Sequence, residues 1–330
     1  MKARKRLPDA HRPIGMKPAG VARSTLPPMQ EPISPSGEQV ELSAGDQRVV
    51  VVGFGGGLRR YSVGDESVLD GYSVVTMCGS GRGQLLAPWP NRIQDGSYKF
   101  AGESYQLALD EPERQNAIHG LVRWAKWSVA EQEAERAVLE HRLHPTPGYP
   151  FTLDLRVEYS LAEDGLTVRV EATNVGEDAC PYGFGAHPYL AGGDGLVDGL
   201  ELRIPAETAL ISDERSIPIG RQSVDGTELD FRTPKPIGTV QLDHCFTDLQ
   251  RDGDGRARVE LGGRATLWVD GSYPYVMVFT GDGLPDVARR SVAVEPMTCA
   301  PNAFRSGDGL IRLEPGESHS GSWGIAPART

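Results

Sequence analysis

The chain has 330 residues, and its composition, 39% hydrophobic and 24% charged, is typical of a globular protein with a large core. Because 45 acidic residues outnumber 34 basic ones, the net charge of −11 makes nucleic acid and anionic membranes unexpected partners. No stretch approaches the roughly 20 consecutive apolar residues that cross a bilayer.

Residues 1–37 are predicted to form a disordered tail. This segment is rich in proline and polar residues and has few large apolar side chains. Such a composition buries too little surface to offset the entropy that is lost on ordering. The first residues are basic, but no apolar segment follows them, so a secretory signal is not expected.

From residue 38 onward, apolar and polar residues alternate with a period of two, which is typical of half-buried β-strands. The clearest predicted strands are, in chain order, 47–54, 126–132, 136–143, 151–161, 165–175, 256–263, 265–271 and 275–281. The segments "GFGGGLRR" (53–60) and "AEDG" (162–165) are predicted to be hairpin turns, the first in place of a phosphate-binding loop. Helical periodicity is almost absent. We therefore predict an all-β fold, a large antiparallel β-sandwich, as one domain over residues 38–330.

The four cysteines, Cys78, Cys180, Cys245 and Cys299, lie far apart and form no zinc-binding pattern. The sequence also lacks the GxSxG, HExxH and P-loop motifs. We expect four reduced thiols and a cytoplasmic location.

Polar residues in unusually apolar surroundings are the candidate functional residues: Arg92, His119, His187, Asp243 and Glu295. Glu295 follows the alternating run "VAV" and precedes Pro296, which we expect to end the strand and to leave the carboxylate beside a cleft. Partial burial would raise its pKa and suit it to act as a general base. Each residue also has an ordinary structural role open to it, such as a surface salt bridge for Arg92. Spacing alone does not show that the five converge.

His187 stands in the run "GFGAHPYL" (183–190). The proline that follows it disfavours the α region, so His187 is predicted to lie on an extended or turn segment. An imidazole with a pKa near ~6.5 can donate or accept a proton at neutral pH. His187 is therefore either a hydrogen-bonded core residue or a catalytic one.

Seven segments that follow one another along most of the chain resemble the aldose 1-epimerase (galactose mutarotase-like) family. They are "PNRIQDGSYKFAGESYQL", "AIHGLVRW", "HPTPGYPFTLDLRVEYSL", "YGFGAHPYL", "LDHCFTDL", "VEPMTCAPNAF" and "LEPGESHSGSWGI". The resemblance is to a bacterial subgroup, and it implies a galactose mutarotase-like supersandwich with an open sugar-binding cleft. It also implies interconversion of the α and β anomers of a free aldose, without cofactor or metal.

The resemblance assigns roles residue by residue. Glu295 would be the general base and His187 the general acid, and His119 would support the ring oxygen. Arg92 and Asp243 would hold sugar hydroxyls. Asn91 and Trp124 are also expected to bind the substrate. The acid and the base are expected to face each other across a space the size of a pyranose. The protein is expected to be a monomer or a homodimer.

Two other functions stay open at this point. A non-catalytic carbohydrate-binding or regulatory module on the same fold would bind sugar without accelerating any reaction. A glycoside hydrolase would need two carboxylates beside the bond that is cleaved, and Glu295 and Asp243 are the two candidates.

Overall fold

The structure is a computed structural model that describes residues 33–284 and 288–328. The predicted disordered tail lies outside the described residues up to residue 32, and residues 33–37 lead through a turn into the first strand. From Ser34 onward the chain forms one compact unit.

The described residues form 27 strands. The first nine are β1 (Gln39–Ala44), β2 (Gln47–Val52), β3 (Leu58–Val63), β4 (Glu66–Ser67), β5 (Leu85–Leu86), β6 (Arg92–Gln94), β7 (Ser97–Phe100), β8 (Glu103–Gln106) and β9 (Asn116–Ile118). The next nine are β10 (Ser128–Gln132), β11 (Arg136–Leu143), β12 (Leu153–Ala162), β13 (Gly165–Asn174), β14 (Cys180–Tyr182), β15 (Gly185–Ala186), β16 (Tyr189–Ala191), β17 (Glu201–Arg203) and β18 (Ala206–Ser212). The last nine are β19 (Pro218–Ser223), β20 (Lys235–Pro236), β21 (Asp243–Leu249), β22 (Ala257–Leu261), β23 (Ala265–Val269), β24 (Tyr275–Phe279), β25 (Ser291–Met297), β26 (Ile311–Leu313) and β27 (Ser318–Pro327). Helical structure in the same residues is a 3₁₀ turn at Val197–Gly199 and one short helix, α1 (Ala303–Ser306).

The larger of two main sheets has nine antiparallel strands in the order β10-β11-β12-β13-β27-β23-β22-β17-β20. In β12 the buried residues alternate with half-buried ones, as the sequence predicted. The hairpin at 162–165 pairs Ala162 with Gly165 and fixes the register of β12 against β13. One face of this sheet therefore packs into the core, and each buried valine or leucine contributes about 1.5–3 kcal/mol to folding.

The second main sheet has eight strands, with the path β19-β18-β21-β24-β25-β15-β5 and with β16 also paired to β25. Its central strands β24 and β25 are buried on both faces. Val276 and Val278 point to the main core. Met277 and Met297 belong to a separate apolar cluster on the opposite face. A polar side chain on that opposite face is thus directed away from the core.

Strand β25 does not end where the sequence suggested. Pro296 pairs with Val276 inside the ladder, and the strand continues to Met297. The prediction failed because a proline costs a ladder only one hydrogen bond. The missing donor lies on the side of β25 that faces the 184–191 segment. The N–H groups on either side of it are paired there, since Val294 donates to Pro188 (3.1 Å) and Thr298 donates to Phe184 (2.8 Å).

Smaller sheets hold the loops that surround the second main sheet. The pair β6-β9 aligns Arg92 with Ile118, so that Arg92 lies next to His119 in space.

All four cysteines are free thiols, and three of them are buried. None of the helices in the described part of the chain has the length and apolarity to cross a membrane.

Candidate active site

A cavity of about 600 Å³ opens beside the face of the second main sheet that points away from the core. Strands β6, β16, β21, β24 and β25 contribute to its walls, together with the loops around residues 78–81 and 110–124. Every residue that the sequence analysis singled out lines this cavity: Asn91, Arg92, His119, Trp124, His187, Asp243 and Glu295.

His187 and Glu295 are in direct contact. Gly185 pairs with Met297 and Tyr189 pairs with Ala293, so one register runs through both segments and sets His187 opposite Glu295. The Nε2 atom of His187 lies 3.3 Å from Oε1 of Glu295. The two side chains are therefore side by side on one wall. We had expected a pyranose-sized gap between them, and the structure does not have one.

The imidazole of His187 is held from several directions. It stacks on the ring of Tyr189, with centroids 4.9 Å apart and planes inclined by 10°. The Tyr189 hydroxyl donates to the carbonyl of Ser80 at 2.8 Å, and the guanidinium of Arg82 lies 4.6 Å from the centre of the Tyr189 ring. A Cβ added to Gly81 would come within 2.9 Å of His187 Cδ2. The ring has little freedom to turn.

His119 approaches the pair from the loop after β9. Its φ of 62° is left-handed, and its backbone N–H donates to the carbonyl of Asn91 at 2.8 Å. This turn sets the imidazole edge-on to His187, with the two ring centroids 5.3 Å apart. A non-glycine residue in this backbone region carries a conformational cost, which is common at functional sites.

Burial opposes charge on the side chains of Glu295, His187 and His119. Desolvation, with a smaller effect from the nearby Asp243 carboxylate, raises the pKa of Glu295 well above its usual range. Desolvation also lowers the pKa of His187 to about 3 and holds the pKa of His119 well below 6.5. Burial therefore works against a full ion pair between Glu295 and His187, whose Oε1 and Nε2 atoms are 3.3 Å apart.

Several buried polar atoms of this group have no hydrogen-bond partner among the described residues. They are Oε2 of Glu295, Nδ1 of His187 and Nδ1 of His119. Each such atom costs roughly 1–3 kcal/mol unless a partner is supplied. Three such atoms in one cluster are unusual in a folded protein and mark these residues as a candidate functional site.

Arg92 is nearly buried and is paired with Glu111. Its Nε and Nη2 atoms each donate to a Glu111 carboxylate oxygen at 2.9 Å. The side-chain oxygen of Asn91 accepts from the backbone N–H of Arg92 at 3.0 Å, and Asn91 itself has a left-handed φ of 53°. The salt bridge that we had weighed as an alternative exists, but it is buried and lies in the cavity wall.

Asp243 and Trp124 lie on more open parts of the wall. Asp243 begins β21, opposite Phe279, and is exposed. Trp124 is 40% exposed, and its ring centroid is 6.2 Å from that of Phe54. Asp243 thus offers a carboxylate for hydroxyl groups, and Trp124 offers an indole surface for the apolar face of a ring.

Sequence reasoning missed two acidic residues of the cavity wall, Asp110 and Glu111. Glu111 holds Arg92, and Asp110 accepts from Arg123 Nη2 at 2.5 Å and from the backbone of Ile118 at 2.7 Å. In the sequence, "LDEPERQN" reads as an ordinary polar turn, and only the long-range pairing reveals its role. Residues 33–284 and 288–328 contain no group of three His, Cys, Asp or Glu side chains arranged to hold a metal ion.

Comparison with known proteins points in one direction. A family model described as aldose 1-epimerase matches residues 38–325. The uncharacterized protein YihR of Escherichia coli K12 is 37% identical over 288 residues, which cover 86% of this chain and 91% of that protein. Human galactose mutarotase is 34% identical over 164 residues, 47% of this chain and 46% of the human one. A crystal structure of a GalM/aldose epimerase homologue from C. elegans superposes with a TM-score of 0.78 at 18% identity, over 89% of this chain and 99% of that one, and shows the shared fold.

Proposed function

The chain belongs to the aldose 1-epimerase family, and from this premise we propose that it interconverts the α and β anomers of a free aldose. The resemblance found in the sequence and the all-β fold are both confirmed. The name of the human relative suggests galactose as one substrate to test, and the sugar that this chain prefers is left to experiment.

One observation carries the proposal. The Nε2 atom of His187 and Oε1 of Glu295 are 3.3 Å apart, and both residues line a cavity of about 600 Å³. Mutarotation needs one group that removes a proton from the anomeric hydroxyl and one that adds a proton to the ring oxygen. Both oxygens are bonded to C1, so neighbouring side chains can reach them together.

The reaction then follows from proton transfer alone. The step starts from the form of the pair in which Glu295 is ionised and His187 carries the proton. Glu295 takes the proton of the anomeric hydroxyl while His187 gives its proton to the ring oxygen, and the bond between C1 and the ring oxygen breaks. Rotation about C1–C2 presents the other face of the aldehyde. His187 then takes back the proton of the former ring oxygen, and Glu295 returns its proton to the carbonyl oxygen as the ring closes. The pair ends with the protons that it began with. Each positioned transfer is worth roughly 10²–10⁴ in rate.

The other cavity residues bind and orient the sugar. His119 lies next to His187 and would support the ring oxygen or a neighbouring hydroxyl. Arg92 donates hydrogen bonds to hydroxyls, Asp243 accepts them, and Asn91 fixes the backbone turn that presents Arg92. The indole of Trp124 offers a flat surface to the pyranose. The location that we propose is the cytoplasm, which the four free thiols support.

The decisive experiment is an anomerisation assay over a panel that includes glucose, galactose, other aldoses and acidic sugars. Freshly dissolved α-anomer is followed by polarimetry with and without protein, and proton NMR saturation transfer reports the exchange at equilibrium. We expect acceleration over buffer for at least one aldose. A folded protein that binds a sugar but accelerates none would contradict the enzyme and favour a carbohydrate-binding module.

A further inference from the structure

We propose that Glu111 is a positioning residue for sugar recognition, which acts by fixing the guanidinium of Arg92 at the cavity wall. This inference rests on the proposed function, because it assigns a role within the same site. Glu111 touches Arg92 and also lines the cavity.

The contact between the two side chains is bidentate. Nε and Nη2 of Arg92 donate to opposite oxygens of the Glu111 carboxylate at 2.9 Å, which sets the guanidinium plane as well as its position. Both side chains are 10% exposed. A free arginine side chain samples many rotamers, so this contact removes disorder that the sugar would otherwise have to remove on binding. The Nη1 atom, 3.5 Å from Oδ1 of Asn91, has donors left for the cavity.

Glu111 is in turn held by the strand that precedes His119. The side chain of Asn116, which is completely buried, donates to Oε2 of Glu111 at 2.9 Å and to the carbonyl of Arg215 at 3.0 Å. The backbones of Glu111 and Asn116 also exchange hydrogen bonds of 3.1 and 3.2 Å. Arg92 is thus held by an acidic residue that is itself fixed by a buried side chain and by backbone hydrogen bonds.

Charge gives a second reason for this arrangement. The cavity contains Glu295, whose carboxylate attracts the Arg92 guanidinium. Among the described residues, Glu111 is the one carboxylate within 4 Å of the Arg92 guanidinium, so without it the buried charge would have no direct partner. By pairing with Arg92, Glu111 keeps the guanidinium available for hydroxyl groups and leaves Glu295 free to accept a proton.

The kinetic test uses an isosteric change and a double-mutant cycle. Glu111→Gln is expected to raise KM about tenfold and to change kcat much less, as the loss of a charge-assisted contact that orients the substrate would do. If Glu111 acts through Arg92, the same change in an Arg92→Met background adds less than about twofold. Asp154→Asn is the matched control, because Asp154 forms a bidentate pair with Arg142 outside the cavity, and its KM should equal that of the parent.

A second measurement is independent of activity. The Arg92 Nε–H signal in a ¹H–¹⁵N NMR spectrum, identified by its absence in Arg92→Met, is expected to exchange slowly with water in the parent and rapidly in Glu111→Gln. An unchanged KM, a tenfold effect that persists in the Arg92→Met background, or a signal that stays protected would overturn the inference. If the parent turns over no aldose, the proposed function fails, and the inference is then judged from this signal and from sugar affinities measured by NMR titration.

Discussion

His187, in the two-residue link between β15 and β16, lies opposite Glu295 of β25, and 3.3 Å separates its Nε2 atom from Oε1 of the carboxylate. A β-ladder with a fixed register is among the most rigid supports that a chain can provide. The acid and the base of the proposed reaction are therefore positioned by main-chain hydrogen bonds on either side of them, and not by loop conformation alone.

Replacing Glu295 by glutamine is expected to lower kcat by about 10²–10⁴, since the amide cannot accept the proton of the anomeric hydroxyl. The same change should leave thermal stability unchanged or higher, because Glu295 is 2% exposed and burial disfavours its charged form. Polarimetry measures the first effect, and circular dichroism melting measures the second.

The Asp154→Asn variant is the control for Glu295→Gln, because it removes a carboxylate outside the cavity whose side chain is 40% exposed. We expect it to keep full activity. A Glu295→Gln protein with parental kcat would show that Glu295 is not the base. A variant that loses activity only because it unfolds would contradict the argument that its buried charge is costly.

The pH dependence of kcat/KM is expected to have its acid limb below the range in which an exposed histidine titrates. Exchange requires the Glu295–His187 pair to hold one proton. Adding a second proton charges the His187 imidazole, and burial opposes this by lowering its pKa to about 3, so the acid limb should lie well below pH 6.5. Removing the last proton leaves a buried carboxylate, and because burial raises the Glu295 pKa, the alkaline limb lies above 4.5.

Rates for this profile are measured with the buffer-catalysed reaction subtracted at each pH. An acid limb centred at 6.5 or higher would mean that His187 titrates as an exposed histidine does. The two groups would then form an ordinary ion pair, and the argument that burial works against it would be wrong.

Most of the fold could be predicted because one-sided burial leaves a period of two in the sequence. The strand predicted at 136–143 has the bounds of β11, and "AEDG" is the hairpin turn between β12 and β13. The strand that carries Glu295 was harder. Its buried positions show no alternation, since both faces are covered, and Pro296 gave a false end signal.

The site was predictable only in part. The candidates singled out in the sequence all line one cavity, but their convergence depends on long-range pairing, as between Arg92 on β6 and Ile118 on β9. The role of Glu111 depends on a contact with a residue 19 positions away that no local pattern marks. Local rules also place His119 in a loop without revealing its left-handed turn toward His187.

The buried imidazole of His119 is expected to make the protein less stable in mild acid. Its folded pKa lies below the unfolded value of 6.5 because of desolvation. Below pH 6.5 the unfolded chain therefore binds a proton that the folded protein does not, and stability falls as pH falls. The protein is therefore expected to be less stable at pH 5 than at pH 7.

Urea unfolding at pH 7 and pH 5 measures this loss. His119→Gln should show a smaller difference between the two conditions than the parent, whereas His144→Gln, which changes an exposed histidine, should reproduce the parental difference. Equal differences in all three proteins would show that His119 does not contribute to acid sensitivity.

Gly81 is expected to be required for the position of His187. A Cβ at residue 81 would lie 2.9 Å from Cδ2 of the imidazole, and the backbone φ of +73° is one that other residues adopt at a cost of roughly 1–2 kcal/mol. Gly81→Ala should therefore displace the ring from Glu295 and lower kcat/KM about tenfold or more, together with a modest loss of stability.

Gly79→Ala is the matched control in the same loop, since a Cβ there meets nothing within 4 Å and φ is not left-handed. If both variants kept parental kcat/KM, the close contact of Gly81 with His187 would have no bearing on the reaction. Loss in both would mean that the loop as a whole, and not the imidazole, is sensitive to substitution.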